Sequence, residues 1–200
     1  MGTFSKKSIL ALAFLLVSAA STTAWGKVLL SQSEALKLAF PPGTVIERKS
    51  AFLSPADLER ARSLSGSAVP GAIVTYYIGT KDGREVGTVF FDTHVVRTLQ
   101  ETILMEVDPA GAISRIEVLS FSEPDDYLPR PHWYEQFTGQ RLGDELSLKR
   151  AIRPVTGATL TARATTDAAR RVLALHALIR GAAAPPVASA GSASALPRNP

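Results

Sequence analysis

The chain is predicted to adopt an α+β fold, a small antiparallel sheet packed against helices, with the last helix following a threonine-rich turn. Three observations lead there. Four consecutive stretches rich in β-branched and aromatic residues are joined pairwise by tight-turn sequences. Capping signals mark helices before them, and a stripe of apolar residues at helical spacing closes the domain after them.

In order along the chain, Leu29 to Phe40 reads as a short helix with Ser31 or Ser33 as cap, stopped by Pro41, Pro42 and Gly43. Val45 to Phe52 is a strand. Ser54-Pro55-Ala56-Asp57 starts a second helix through Leu58 to Leu64, with Ser54 as N-cap and proline at the first position. A loop from Gly66 to Gly71 leads to the hairpins. The first, Ala72 to Gly79 with Glu85 to Phe91, turns at Lys81-Asp82-Gly83-Arg84. The second, Leu99 to Val107 with Ile113 to Phe121, turns at Asp108-Pro109-Ala110-Gly111. The proline- and acid-rich run Glu123 to Pro131 takes the chain out of the sheet. A short helix is expected over His132 to Phe137, and a polar connection with a second short element over Thr138 to Ile152. From Thr161 or Thr165 to Arg180, the spacing of Ala164, Ala168, Val172, Leu175 and Ile179 is helical.

Composition narrows the function classes. The 200 residues, 46% hydrophobic, suffice for one domain. Discounting Lys6 and Lys7, the basic count falls from 22 to 20 against 18 acidic residues. No basic stripe interleaved with aromatics appears, so no nucleic-acid partner is expected. The absence of cysteine excludes disulfides, cysteine-held iron–sulfur clusters, c-type haem attachment and thiol catalysis. His94, His132 and His176 share no metal-ligand spacing, and no metal site is expected. Ser120 and Ser122 have no partners that mark a nucleophile triad. Residues 1–24 combine the basic pair, an apolar run from Ile9 to Ala20 and small residues up to Ala24, the pattern of a secretory signal. Export to the periplasm or beyond is expected, with an uncleaved membrane anchor as the alternative. Residues 25–69 are expected as a helical and strand extension, 70–180 as the main domain, and 181–200, rich in Ala, Pro and Ser, as a disordered tail.

The chemistry is concentrated in Pro154-Val155-Thr156-Gly157-Ala158-Thr159-Leu160-Thr161. A glycine-bearing turn that opens a helix presents unpaired amides and partial positive charge, and threonine hydroxyls add donors, which suits a phosphate. An ordinary helix entry with threonine caps fits the same residues.

The segment Thr156, Gly157, Ala158, Thr159, with Thr161 after Leu160, resembles the flavinylation motif of the FMN-binding domain family. That family includes the periplasmic FMN subunits of the sodium-pumping NADH:quinone reductase and of the Rnf complex, and NosR-type proteins. The likeness extends over residues 70 to 178, through Glu123-Pro124-Asp125-Asp126-Tyr127-Leu128-Pro129, Trp133 and Gln136-Phe137-Thr138-Gly139. It implies FMN joined through a phosphoester to Thr159 by a flavin transferase that draws on FAD, and electron relay between membrane or periplasmic redox partner proteins. It further implies a cofactor site built from Thr156, Gly157, Ala158, Thr159 and Thr161. Leu128, Trp133 and Tyr127 are candidates to line the flavin ring, and Glu123 to make a polar contact or fix its loop. The chain reads as a redox carrier or subunit more than a stand-alone enzyme. Arg153 stands where the family usually has an aspartate. This departure leaves open non-covalent FMN binding, and a cofactor-free exported adaptor that keeps the fold.

Overall fold

Both expected hairpins form, and they make the centre of a six-stranded antiparallel sheet. The computed structural model describes residues 27–183. Strands β3 (Ile73–Lys81) and β4 (Arg84–Val95) turn through Asp82 and Gly83, both at positive φ as this two-residue turn requires. Strands β5 (Gln100–Val107) and β6 (Ile113–Phe121) turn where the Asp108 carboxylate accepts from the Ala112 amide at 2.9 Å. Two edge strands, β1 (Lys27–Val28) beside β6 and β2 (Val45–Phe52) beside β3, complete the order β1-β6-β5-β4-β3-β2. β1 was not foreseen: two residues are too few to leave an alternating pattern.

Helices α1 (Gln32–Ala39) and α2 (Pro55–Ser65) begin at capping boxes, Ser31 with Glu34 and Ser54 with Asp57. α1 lies on one face of the sheet, where Ala35, Ala39 and Phe40 pack with Val89, Leu104 and Leu119. The other face carries α2, the short α3 (Pro131–Tyr134) and the long α4 (Thr159–Ala183) over Phe90, Ile103, Met105, Ile113 and Ile116. Residues 27–69 contribute both edge strands and two packed helices to the same sheet. Within residues 138–152 the described backbone has only a bridge between Leu148 and Ile152 in place of the expected second element.

Two boundaries differ in ways that bear on the site. β4 runs on to Val95, beyond the expected end at Phe91, because Asp92 and His94 find buried polar partners that keep them in the ladder. α4 begins at Thr159 rather than at Thr161 or Thr165. Its threonines are compatible with helix because hydroxyls donate to carbonyls one turn back, Thr159 to Val155 at 3.2 Å and Thr166 to Ala162 at 2.7 Å. The helix also continues through Gly181 to Ala183, the first residues of the expected tail. The signal segment 1–24 and the rest of that tail lie outside the described residues. Among the described residues, no helix is long and apolar enough to cross a membrane.

Candidate functional site

The turn before α4 is built around Gly157 at φ +85°, a conformation glycine adopts freely. The Ala158 amide closes the turn onto the Val155 carbonyl, and the Ala162 amide makes the first helical bond back to Ala158. The amides of Thr159, Leu160 and Thr161, first in the helix, are out of reach of intrahelical acceptors. Thr156, Gly157 and Thr159 are exposed, whereas Ala158 and Thr161 are buried.

Thr159 opens onto a hollow of about 280 Å³ lined by Arg97, Tyr127 and residues 157–161. The Arg97 guanidinium lies 4.4 Å from the centre of the Tyr127 ring, and no ion pair holds it among the described residues. Arg97 was not foreseen from the sequence, because it comes from the β4–β5 connection, some sixty positions from the turn it faces. The Thr161 hydroxyl is already engaged: it donates to the Tyr127 carbonyl at 2.6 Å and ties the helix to the loop after β6.

The other expected site residues are dispersed. Glu123 accepts from the amides of Thr98 at 2.6 Å and Leu99 at 2.8 Å and from the Thr98 hydroxyl, bonds that hold its carboxyl below the usual range. It thereby fixes the loop that carries Arg97. Trp133 is buried, packs edge-on against Tyr134 and Phe137, and donates its indole N–H to the Arg153 carbonyl at 2.7 Å. It borders a different hollow, with His132, Gln136, Ala151 and Arg153. Leu128 faces a third, along the outer edge of β6. Of the expected ring-lining residues, only Tyr127 borders the hollow at Thr159. The Arg153 amide donates to Gln136 at 2.9 Å, so its backbone is held from both sides while the residue stays exposed.

Across Leu160 lies a second hollow of about 260 Å³, whose lining includes His94, Arg163, Asp167 and Arg171. Behind it runs a buried polar network. Arg171 grips Asp92 with two bonds of 2.9 and 2.7 Å, and Asp92 meets His94 Nδ1 at 2.9 Å. His94 Nε2 meets Glu101 at 3.0 Å, and Glu101 also accepts from the hydroxyls of Tyr134 at 3.2 Å and Thr165 at 3.3 Å. The pleat explains the grouping: Phe90, Asp92 and His94 alternate onto the α4 face, and Glu101 is the cross-strand partner of His94. Burial opposes a charge on His94, but hydrogen bonds from its ring to Asp92 and Glu101, with their charges, outweigh it and push the pKa up to about 9. Burial likewise opposes ionisation of Asp92, and its bonds to His94 and Arg171 prevail, holding it below the usual carboxylate range. Cation and anion therefore alternate along the chain Arg171, Asp92, His94, Glu101.

Comparison with protein-family models, with curated proteins and with solved structures finds no match.

Proposed function

We propose that this chain is an exported electron-transfer protein that carries FMN through a phosphoester on Thr159. The observation that carries this reading is the placement of Thr159: an exposed hydroxyl at the first position of a long helix, after a positive-φ glycine, facing a hollow that also holds Arg97. The residues present fit such a group. Free helix-start amides and a guanidinium suit a phosphodiester, and the exposed hydroxyl is accessible to a transferase. In the attachment step the Thr159 oxygen bonds to the FMN-side phosphorus of FAD, the pyrophosphate bond breaks, AMP leaves, and the hydroxyl proton passes to solvent or to the transferase. A bound flavin supplies one- and two-electron chemistry, while the protein supplies position and electrostatics. The exported setting and the relay between membrane or periplasmic redox partners follow from the family resemblance and the signal-like segment.

Coexpression with a flavin transferase, followed by intact mass, tests the proposal. A gain equal to FMN less water is expected, and it should vanish in Thr159→Ala. Arg153, at the position of the family's aspartate, favours the rival reading of a cofactor-free adaptor. A colourless product with no added mass sinks the carrier reading, and a yellow product without added mass means non-covalent binding.

A further inference from the structure

The hollow across Leu160 is lined unequally in charge. His94, Arg163 and Arg171 face it as cations, and Asp167 is the single carboxylate among its lining residues. Asp92 and Glu101 bond to the two ring nitrogens of His94, Asp92 also pairs with Arg171, and neither carboxylate is part of the lining. Arg163 is exposed and has no ion pair among the described residues. Leu160, 47% exposed, is shared with the hollow that holds Thr159, so the cationic space adjoins the proposed attachment point. Nearby cations favour whichever form of a ligand carries more negative charge.

Building on the reading of Thr159 as the flavin anchor, we propose that the hollow formed by His94, Arg163 and Arg171 is a seat for the electron-rich, anionic form of the flavin. Two electrons taken up with one proton leave the ring with one more negative charge than before, and the imidazolium and guanidinium groups offset that charge. The seat therefore holds the reduced form tighter than the oxidised form and raises the midpoint potential. His94 is committed to this role as a fixed cation: both ring nitrogens are engaged, so it stabilises charge without transferring a proton. Counted with Asp92 and Glu101 behind them, His94, Arg163 and Arg171 are matched by Asp92, Glu101 and Asp167, so what favours an anion is placement: the cations front the hollow, and Asp167 there has Arg163, Arg170 and Arg171 near it.

Two experiments decide this. In the loaded protein, Arg163→Gln, an exposed position that the fold tolerates, should lower the midpoint potential by roughly 30 mV, a tenfold loss of preference for the reduced form in a two-electron couple. His94→Gln should lower it further if it folds, and unchanged potentials in Arg163→Gln overturn the proposal. In the unloaded Thr159→Ala chain, dithionite-reduced FMN should bind roughly tenfold tighter than oxidised FMN and shift the amides of Val96, Leu160 and Arg163, a preference that Arg163→Gln weakens. Equal affinity for the two forms, or shifts elsewhere, overturns it. A chain that prefers reduced FMN but gains no mass with the transferase keeps the seat and loses the covalent anchor. A chain that gains the mass with no preference keeps the anchor and loses the seat.

Discussion

Thr161 and Tyr127 are joined by a 2.6 Å hydrogen bond, from a hydroxyl in the first turn of α4 to a carbonyl in the loop that follows β6. It makes Thr161 a brace between α4 and that loop. Thr161→Val should keep the volume, lose the bond and cost about 1–2 kcal/mol in urea unfolding. The flavin mass adduct should survive in this variant. If it is lost there and retained in Thr159→Ala, the attachment has been assigned to the wrong hydroxyl.

Arg171 and Asp92 form a buried bidentate pair, and each is costly without the other. Asp92→Ala should destabilise by about 3–5 kcal/mol, because it strands the guanidinium and one side of His94. The double variant Asp92→Leu with Arg171→Met should cost less than Asp92→Ala alone. A double variant as unstable as the single would mean that the lost geometry, more than the stranded charge, sets the cost.

His94 makes stability depend on alkaline pH. Its pKa lies near 9 in the folded chain against 6.5 for the unfolded group, so its contribution is complete below about pH 6.5 and is lost as pH rises through about 9. Denaturant unfolding between pH 6 and pH 10 should show this decline in the native chain. His94→Gln should be less stable at pH 6 and should flatten the slope.

Much of the fold was legible because it is written in local chemistry. Asp82-Gly83 specifies its turn, and Ser54 and Asp57 specify a helix start, with no reference to distant residues. The turn at Gly157 was legible for the same reason. The surroundings of that turn were not. Arg97 reaches Thr159 only once the β4–β5 connection and α4 meet at one end of the sheet, and Trp133, close to the motif in sequence, is turned away into the core by its bond to the Arg153 carbonyl. The polar network left a trace that alternation could have exposed. Asp92 and His94 continue the buried face begun by Phe90, and Thr165 lies one turn before Ala169 on the buried side of α4. Polar residues at core positions signal partners, but the partners themselves come from four different elements.

Phe40 rests directly on Gly79. A Cβ built at Gly79 would run into the edge of the Phe40 ring, and Phe40 is itself buried beneath α1. Gly79→Ala should therefore push α1 from the sheet and cost about 1–3 kcal/mol. Combining it with Phe40→Leu should recover part of the loss. An unchanged unfolding midpoint in Gly79→Ala would mean that the ring shifts freely, and that α1 is held by Ala35 and Leu119 instead.

Glu106 carries a charge that the fold disfavours. It is buried on the sheet face away from α4, within 3.0 Å of where a Gly87 Cβ would be, and has no hydrogen-bond donor among the described residues. Burial pushes its pKa up to about 7, the charge of Arg115 offsetting this only in part. Because the folded pKa exceeds the unfolded value of 4.5, the protonated form stabilises the fold, fully below about pH 4.5, and that contribution fades as pH rises through about 7. Glu106→Gln should therefore gain stability over the native chain at pH 8 and show little gain at pH 4.5. Thermal or denaturant unfolding at the two pH values reads this directly, and equal differences at both would assign the effect of the substitution to packing, with the carboxyl ionised and solvated throughout.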